Sequence, residues 1–352
     1  VAGIGSDVMG KKFTIGVLIG NVHTAHPKDL MRGIRAAASG MDVNVIYFLG
    51  TQSVRFNQKF ALEDFDYQYN TVYDYAKLAK VDVLIIAYGS LCIFQKNEDK
   101  QAFLDKFAGI PYVLLEDATD DPRGIYVMVD NFGGMQKCVE HLIIEHHLKH
   151  LVYLGGPEDN QDAIERKAAF LNVMAEHHLP VTPEMMAVGD YSEFVDNLVE
   201  QLLKDNPDAE AIISANDEMT VACYRVCKAH GLRIGKDILI TGFDDVERAR
   251  YSNPPLTTAS QDAYKMGQIA VEKAVDICAG RPVESVRLDA ELIIRESCGC
   301  KVTRRAKEKA DEKTELLHII DELRLFQHKS WLGPFLIRDL MQEAENEKSF
   351  YR

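Results

Sequence analysis

The sequence predicts an α/β protein built from two doubly wound, parallel-sheet lobes, and three observations carry that expectation. Strand and helix signals alternate from about residue 12 to residue 296. The strand segments are almost continuously apolar, as strands covered on both faces are. The alternation also restarts near residue 130, which implies a second sheet rather than the extension of the first. Each half then reads as a Rossmann-like unit, with a hinged cleft between the two.

The first series opens with "FTIGVLIG" (13–20), followed by a helix at 27–40 with proline in its first turn and a closing glycine. The runs "VNVIYFL" (43–49), "VDVLIIAY" (81–88) and "IPYVLLE" (110–116) are the next strands, with amphipathic segments around 70–80 and 97–108 between them. The second series begins with a helix at 132–147 and the strand "HLVYLGG" (150–156). A helix at 160–178, a short strand near 185–188 and a helix at 191–205 come next. The strand "AEAIISAND" (209–217), a helix at 218–231 and "DILITGFDD" (237–245) complete it. After "NPPLTTASQ" the chain returns through a helix at 262–280 and a strand pair in "ESVRLDAELIIRE" (284–296). This re-entry predicts lobes at 12–129 plus 263–287 and at 130–262 plus 288–296, with 297–352 as a helical connector or dimerisation extension.

Composition narrows the functional classes. With 47% hydrophobic and 27% charged residues, the chain reads as an ordinary soluble domain. No apolar run approaches the roughly 20 residues that span a bilayer, and the first residues lack a secretory signal, so the expectation is cytoplasmic without membrane association. A net charge of −14 argues against direct nucleic-acid binding by this chain. The acidic run "EDATDD" (116–121) reads as a solvated loop. The seven cysteines are scattered and odd in number, unlike a disulfide framework. Cys298-Gly299-Cys300 is too tight to pair without strain, and no further ligands lie nearby in sequence, so neither a metal nor a cofactor is expected.

In the extension, Leu316, Ile320, Leu323 and Phe326 fall near heptad positions before Gly333-Pro334 breaks the pattern. A connector leading to something longer and a helix packed on its own domain both fit.

Two blocks carry a family resemblance: "VDNFGGMQKCVEHLIIEHHLKHLVYLGGPEDNQDAIERKAAF" (129–170) and "SANDEMTVACYRVCKAHGLRIGKDILITGFDDVERARYSNPPLTTASQD" (214–262). They resemble the effector-binding core of LacI-type regulators, which has the periplasmic-binding-protein type I fold, and the resemblance spans about Lys12 to Glu296. It implies a small-molecule ligand held between the lobes. By the resemblance, Arg166, in the helix after "GGPEDN", reaches that ligand. So do Asp130 closing the "VDN" strand, Asn216 at a strand end, Asp244 as the first acid of "GFDD", and Glu116 ending the fourth strand. The loop Asn21 to His26 and Gln261 after "PPLTT" join the set. The loop lacks the aromatic pair often seen there and carries His23 and His26, so stacking must come from Tyr88, Phe132 or Tyr191. The single Trp331 lies in the extension.

Polar groups at strand C-terminal ends face the crevice of such sheets on physical grounds too. Asn and Asp pattern donors and acceptors onto hydroxyls, and Arg offers a fork. These residues have alternative roles. Asp217 caps the following helix or meets ligand, Asp245 bonds its own turn, and Arg166 pairs with Glu165 or Asp162 on the helix surface.

The leading expectation is a non-enzymatic sensor of a sugar, sugar acid or nucleoside-like metabolite. It would act as a homodimer that relays lobe closure to a C-terminal output, such as a GGDEF-type signalling domain. The alternative is the effector-binding part of a LacI-family repressor. Too few residues precede the first strand for a helix-turn-helix, and Met9 reads as a plausible start. A solute-binding protein and a Rossmann-type enzyme complete the alternatives. "GNVHTAH" lacks G-x-G-x-x-G, and His23, His26, His146, His147 and His150 could form a base or metal set, although solvated histidines are the commoner reading of such positions.

Overall fold

The computed structural model describes residues 12–22, 24–51, 70–92, 97–119 and 121–301. His23 and the expected connector helix with its heptad positions lie outside this set. Twelve strands are found among the described residues: β1 (Phe13–Gly20), β2 (Val43–Gly50), β3 (Val83–Ile86), β4 (Tyr112–Leu115), β5 (Gly124–Val129), β6 (Leu151–Gly155), β7 (Met186–Val188), β8 (Ala211–Ser214), β9 (Leu239–Asp244), β10 (Thr257–Ser260), β11 (Val286–Leu288) and β12 (Glu291–Ile293). The α-helices are α1 (Ala25–Ser39), α2 (Thr71–Asp74), α3 (Tyr88–Leu91), α4 (Asn97–Asp105), α5 (Asn131–Glu140), α6 (Gln161–Glu176), α7 (Asp196–Asp205), α8 (Asp217–Ala229), α9 (Glu247–Tyr251) and α10 (Ala263–Cys278).

The strands form two six-stranded sheets, ordered β11-β5-β4-β3-β1-β2 and β12-β10-β9-β8-β6-β7. All pairings are parallel except β10 with β12. The central strands β3, β4, β6 and β8 are buried along their whole length, which is why their sequences are apolar without alternation. The first sheet separates two apolar clusters, one under α1 and α10 and one around Phe103, Phe107 and Tyr112. The second sheet anchors a third and larger cluster.

Helices α1 and α10 approach closely because two glycines leave room. A Cβ on Gly33 would lie 1.9 Å from the Tyr264 carbonyl oxygen, and one on Gly267 2.4 Å from that of Leu30. The chain passes between the sheets three times, after β5, after β10 and between β11 and β12. The ends of β1, β4, β8 and β9 therefore open on one crevice.

Three expectations require correction. The segment 284–296 is not a strand pair: β11 adds to the first sheet beside β5, and β12 to the second beside β10. The two-residue link Asp289-Ala290 suits either arrangement, and an open edge on each sheet decides. The run 116–121 is not a solvated loop either. Glu116 and Asp117 are buried, Asp117 in a 2.7 Å ion pair with buried Lys100, so the carboxylates have partners that offset desolvation. Finally, the helix expected over 132–147 turns into a π-helical segment at His141–Glu145.

Candidate functional site

A cavity of about 220 Å³ lies between the two sheets, lined from the first by Gly20, Asn21, Thr24, Ala25, His26, Pro27, Gly89, Ser90 and Glu116. The second contributes Asn160, Asp162, Arg166, Tyr191, Asn216, Glu218, Asp244 and Val246, and Gln261 follows β10. Asn21, Glu116 and Asp244 sit at or just beyond the ends of β1, β4 and β9, with φ of 51°, 71° and 120°. Tyr191 has φ of 64°. Left-handed backbone at non-glycine residues is costly, and such positions gather at ligand sites. Here the turn aims each polar side chain into the crevice instead of along its strand.

Arg166 organises the wall formed by the second sheet. It is 2% exposed, and its guanidinium lies 3.8 Å from the centre of the Phe243 ring. Nε donates to Asn131 Oδ1 at 2.8 Å and Nη1 to the Ala215 carbonyl at 2.6 Å. Nη1 also stands 3.5 Å from Asp244 Oδ1. Nη2 is 3.7 Å from Asp162 Oδ2, and although buried it has no hydrogen-bond partner. One arm of a fixed, desolvated fork is thus left for another acceptor. The helix-surface pairing with Glu165 is excluded, because Glu165 bonds Arg287 instead.

On the opposite wall, His26 Nε2 and Glu116 Oε1 are 2.6 Å apart, and Ser90 donates its amide (2.7 Å) and its hydroxyl to Glu116 Oε2. Burial by itself would lower the His26 pKa. The Glu116 charge and hydrogen bond outweigh it, helped by Asp244 and Asp162, and the pKa stands above its ordinary value. Burial would likewise raise Glu116, but His26 and the Ser90 bonds hold it below the usual range. Each partner thus favours the charged form of the other. Asp162 differs. Burial pushes it up to about 7, against the pull of Arg166 and with the push of Glu116, Asp117 and Asp244. Asp244 is also raised, by burial first, while Arg166, His26 and the 2.7 Å bond from Gln261 Nε2 oppose the shift.

Of the residues singled out in the sequence, Asn21, Glu116, Arg166, Asn216, Asp244 and Gln261 line the cavity. Asp130, Phe132 and Tyr88 do not. Asp130 accepts the Gly133 amide at 3.0 Å and caps α5. Phe132 packs against the core of the second lobe, and Tyr88 is buried in the cluster around Phe103. Of the three aromatic residues, Tyr191 lines the cavity, and its hydroxyl stands 3.3 Å from Asn160 Oδ1. Asn216, not Asp217, caps α8 through the Met219 amide, and its own amide nitrogen holds the Tyr191 carbonyl. Asp217 is an internal tie that accepts from the Val246 amide and the Thr258 hydroxyl. Asp245 binds Arg295 and Arg250. His26, Ser90, Asn160 and Asp162 complete the site. Of these only His26 was signalled, by its place after the first strand. Asp162 lies one helical turn before Arg166, a spacing that a surface pair shares.

The cysteine expectation also changes. His141, His146, Cys298 and Cys300 bring their ring nitrogens and sulfurs within 4.8 Å of one another. Local spacing could not reveal a set whose halves are 157 residues apart.

Comparison with known proteins agrees with the two-sheet fold. Residues 139–298 match the family model described as a periplasmic binding protein-like domain. The HTH-type transcriptional regulator CelR of Thermobifida fusca is 30% identical over 216 residues, which cover 59% of this chain and 62% of that protein. The HTH-type transcriptional repressor PurR of Aliivibrio fischeri is 29% identical over 198 residues, 55% of this chain and 56% of the repressor. The chain thus spans somewhat more than half the length of these curated relatives, which are regulators of transcription rather than enzymes. Among solved structures, a CelR–cellobiose complex superposes with a TM-score of 0.68 at 23% identity, covering 81% of this chain and 84% of that one. A lac repressor dimer bound to operator and an anti-inducer gives 0.68 at 23%, covering 82% of each. No helix among the described residues is long and apolar enough to cross a membrane. The chain has the two-lobed periplasmic-binding-protein type I fold seen in LacI-type effector-binding cores, and residues 139–298 of it match the periplasmic binding protein-like family.

Proposed function

We propose that this chain is the effector-binding core of a cytoplasmic, homodimeric LacI-type transcriptional regulator, and that its effector is a neutral polyhydroxy compound of the sugar class. The observation that carries the reading is the buried, partly unsatisfied Arg166 fork set among carboxylates at strand ends. Glu116, Asp162 and Asp244 accept hydrogen bonds from hydroxyls, Arg166 Nη2 and Gln261 donate, and Tyr191 supplies an aromatic face. Four carboxylates line the cavity, Glu116, Asp162, Asp244 and Glu218, the last paired with Arg248. Set against Arg166 and His26, they disfavour a polyanionic ligand, which would add uncompensated negative charge. Because Leu288 pairs with Val129 in the first sheet, the lobes run 12–129 plus 263–288 and 130–262 plus 289–296, one residue from the boundary expected at 287. A ligand touching both favours a closed arrangement. It shifts the equilibrium only by its preference for that state. Relatives that regulate transcription support this output over a signalling enzyme downstream.

The test is calorimetric titration of the chain with mono- and disaccharides (cellobiose included), sugar acids and nucleosides, repeated on Asp244→Asn. We expect saturable binding of a neutral sugar, weakened at least about 30-fold in the variant, the loss of one charge-assisted bond in a dry site. Tight binding of a sugar acid alone, or equal affinity in the variant, would overturn the assignment.

A further inference from the structure

We infer that His141, His146, Cys298 and Cys300 form a structural zinc site, separate from the effector cavity and resting on none of its chemistry. His141 Nε2 lies 3.3 Å from His146 Nε2, 3.3 Å from Cys298 Sγ and 3.7 Å from Cys300 Sγ. His146 Nε2 lies 3.4 Å from Cys300 Sγ. A tetrahedral zinc with Zn–N of about 2.05 Å and Zn–S of about 2.3 Å requires donor separations of about 3.3 Å between nitrogens and about 3.6 Å between nitrogen and sulfur. These four of the six edges lie within about 0.3 Å of that tetrahedron's, and all four donors are within 4.8 Å of one another.

Hydrogen bonding among the four groups accounts for this less well. An imidazole nitrogen carries either one proton or one lone pair, yet His141 Nε2 faces three polar atoms at these distances. Nε2 of both rings is turned inward, so among neutral tautomers a single N–H would have to serve all three contacts at His141 Nε2. A cation at the centre meets all four lone pairs at once. Two thiolates and two neutral imidazoles leave no open coordination position, and this donor set is that of structural zinc sites.

The backbone is shaped for the cluster at both ends. Residues five apart do not share a face of an α-helix, but the π-helical His141–Glu145 segment widens the turn and brings His146 beneath His141. Gly299 has φ of 88°, a left-handed conformation that turns both flanking thiols to one side. A Cβ there would meet the Gly235 carbonyl at 3.3 Å and the His146 ring at 3.6 Å. Outside the four donors, the Thr257 hydroxyl lies 3.1 Å from Cys298 Sγ and donates to it, the kind of outer bond that steadies a metal thiolate. Zinc here would fasten residues 298–300 to the end of α5, on the second lobe, at the point where the sequence continues into 301–352.

The experiment uses the full, tag-free chain, purified under reducing conditions and supplied with zinc. Elemental analysis is expected to give about one zinc per chain, and exchange with cobalt to give the visible bands of a tetrahedral site together with thiolate charge transfer. Cys300→Ser and His146→Gln should each lower retained zinc at least about 10-fold, while Cys278→Ser, outside the cluster, keeps it. The cobalt spectrum is read on the unaltered chain, so poor folding of a variant does not blunt the test. Less than about 0.1 zinc per chain would overturn the site. A Cys298–Cys300 disulfide in the reduced preparation, or zinc that persists undiminished in both variants, would do so equally.

Discussion

Replacing Asp162 with asparagine should stabilise the protein above neutral pH, although it removes a carboxylate 3.7 Å from Arg166. The sign follows from the balance at the site. Burial outweighs the attraction of Arg166, and the folded-state pKa is pushed up to about 7 from 3.8. An acid whose pKa is raised on folding holds its proton more tightly in the native state. It therefore costs nothing below about pH 4, where both states are protonated, and destabilises progressively between about 4 and 7. Above that the full penalty stands. A shift of about three units at about 1.4 kcal/mol each sets an upper bound near 4 kcal/mol, and relaxation around the carboxylate brings the expected gain to about 2–4 kcal/mol. Asparagine keeps an oxygen for the 2.8 Å bond from Asn131 Nδ2, so the neutral side chain loses little else. The assay is urea unfolding of both proteins, without ligand, at pH 4.5 and pH 8. The difference between them should be at most about 1 kcal/mol at the lower pH, where the penalty has only begun to grow, and favour the variant by the full amount at the higher. A variant less stable than the parent at pH 8, or a difference independent of pH, would refute the reasoning.

Other perturbations test different parts of the structure. Arg166→Met should abolish effector binding and cost about 3–5 kcal/mol, because it strands Asn131 Oδ1 and the Ala215 carbonyl and removes the cation beside Asp244; calorimetry and urea unfolding read the two effects. Lys100→Met should destabilise by a similar amount by leaving buried Asp117 unpaired, and Lys100→Met with Asp117→Leu should recover most of the loss. Gly33→Ala should cost about 1–3 kcal/mol in a urea melt, since its new methyl meets the Tyr264 carbonyl and α1 must move off α10. His26 gains stability from Glu116 that is present at low pH and lost as pH rises through its raised pKa. His26→Gln should therefore destabilise more at pH 6 than at pH 9, a contrast that thermal melts would measure.

Much of the site was legible because fold and family resemblance agree on where strands end. Glu116, Asn216 and Asp244 follow apolar strands, and a parallel sheet offers its strand ends to the crevice, so a polar residue there reads directly as a candidate. Asp130 met the same criterion but caps α5 and does not line the cavity, whereas Asn216 caps α8 and lines it as well, so the position of the helix start in space decides. Ser90 and Asp162 were invisible for a related reason. Each lines the cavity beside a partner, Glu116 or Arg166, that lies far off or looks like an ordinary helical pair in the sequence.

The chain by itself determined the alternating α/β order, the two parallel sheets and the polar strand ends, because these follow from local periodicity and from burial on both faces of a strand. Tertiary structure decided which edge strand joins which sheet, that Asp117 is buried, that Arg166 holds one unspent donor, and that two histidines meet two cysteines. Those outcomes depend on distance in space between residues remote along the chain. Hydrophobic pattern specifies which faces are covered but not which polar groups end within 4 Å of each other.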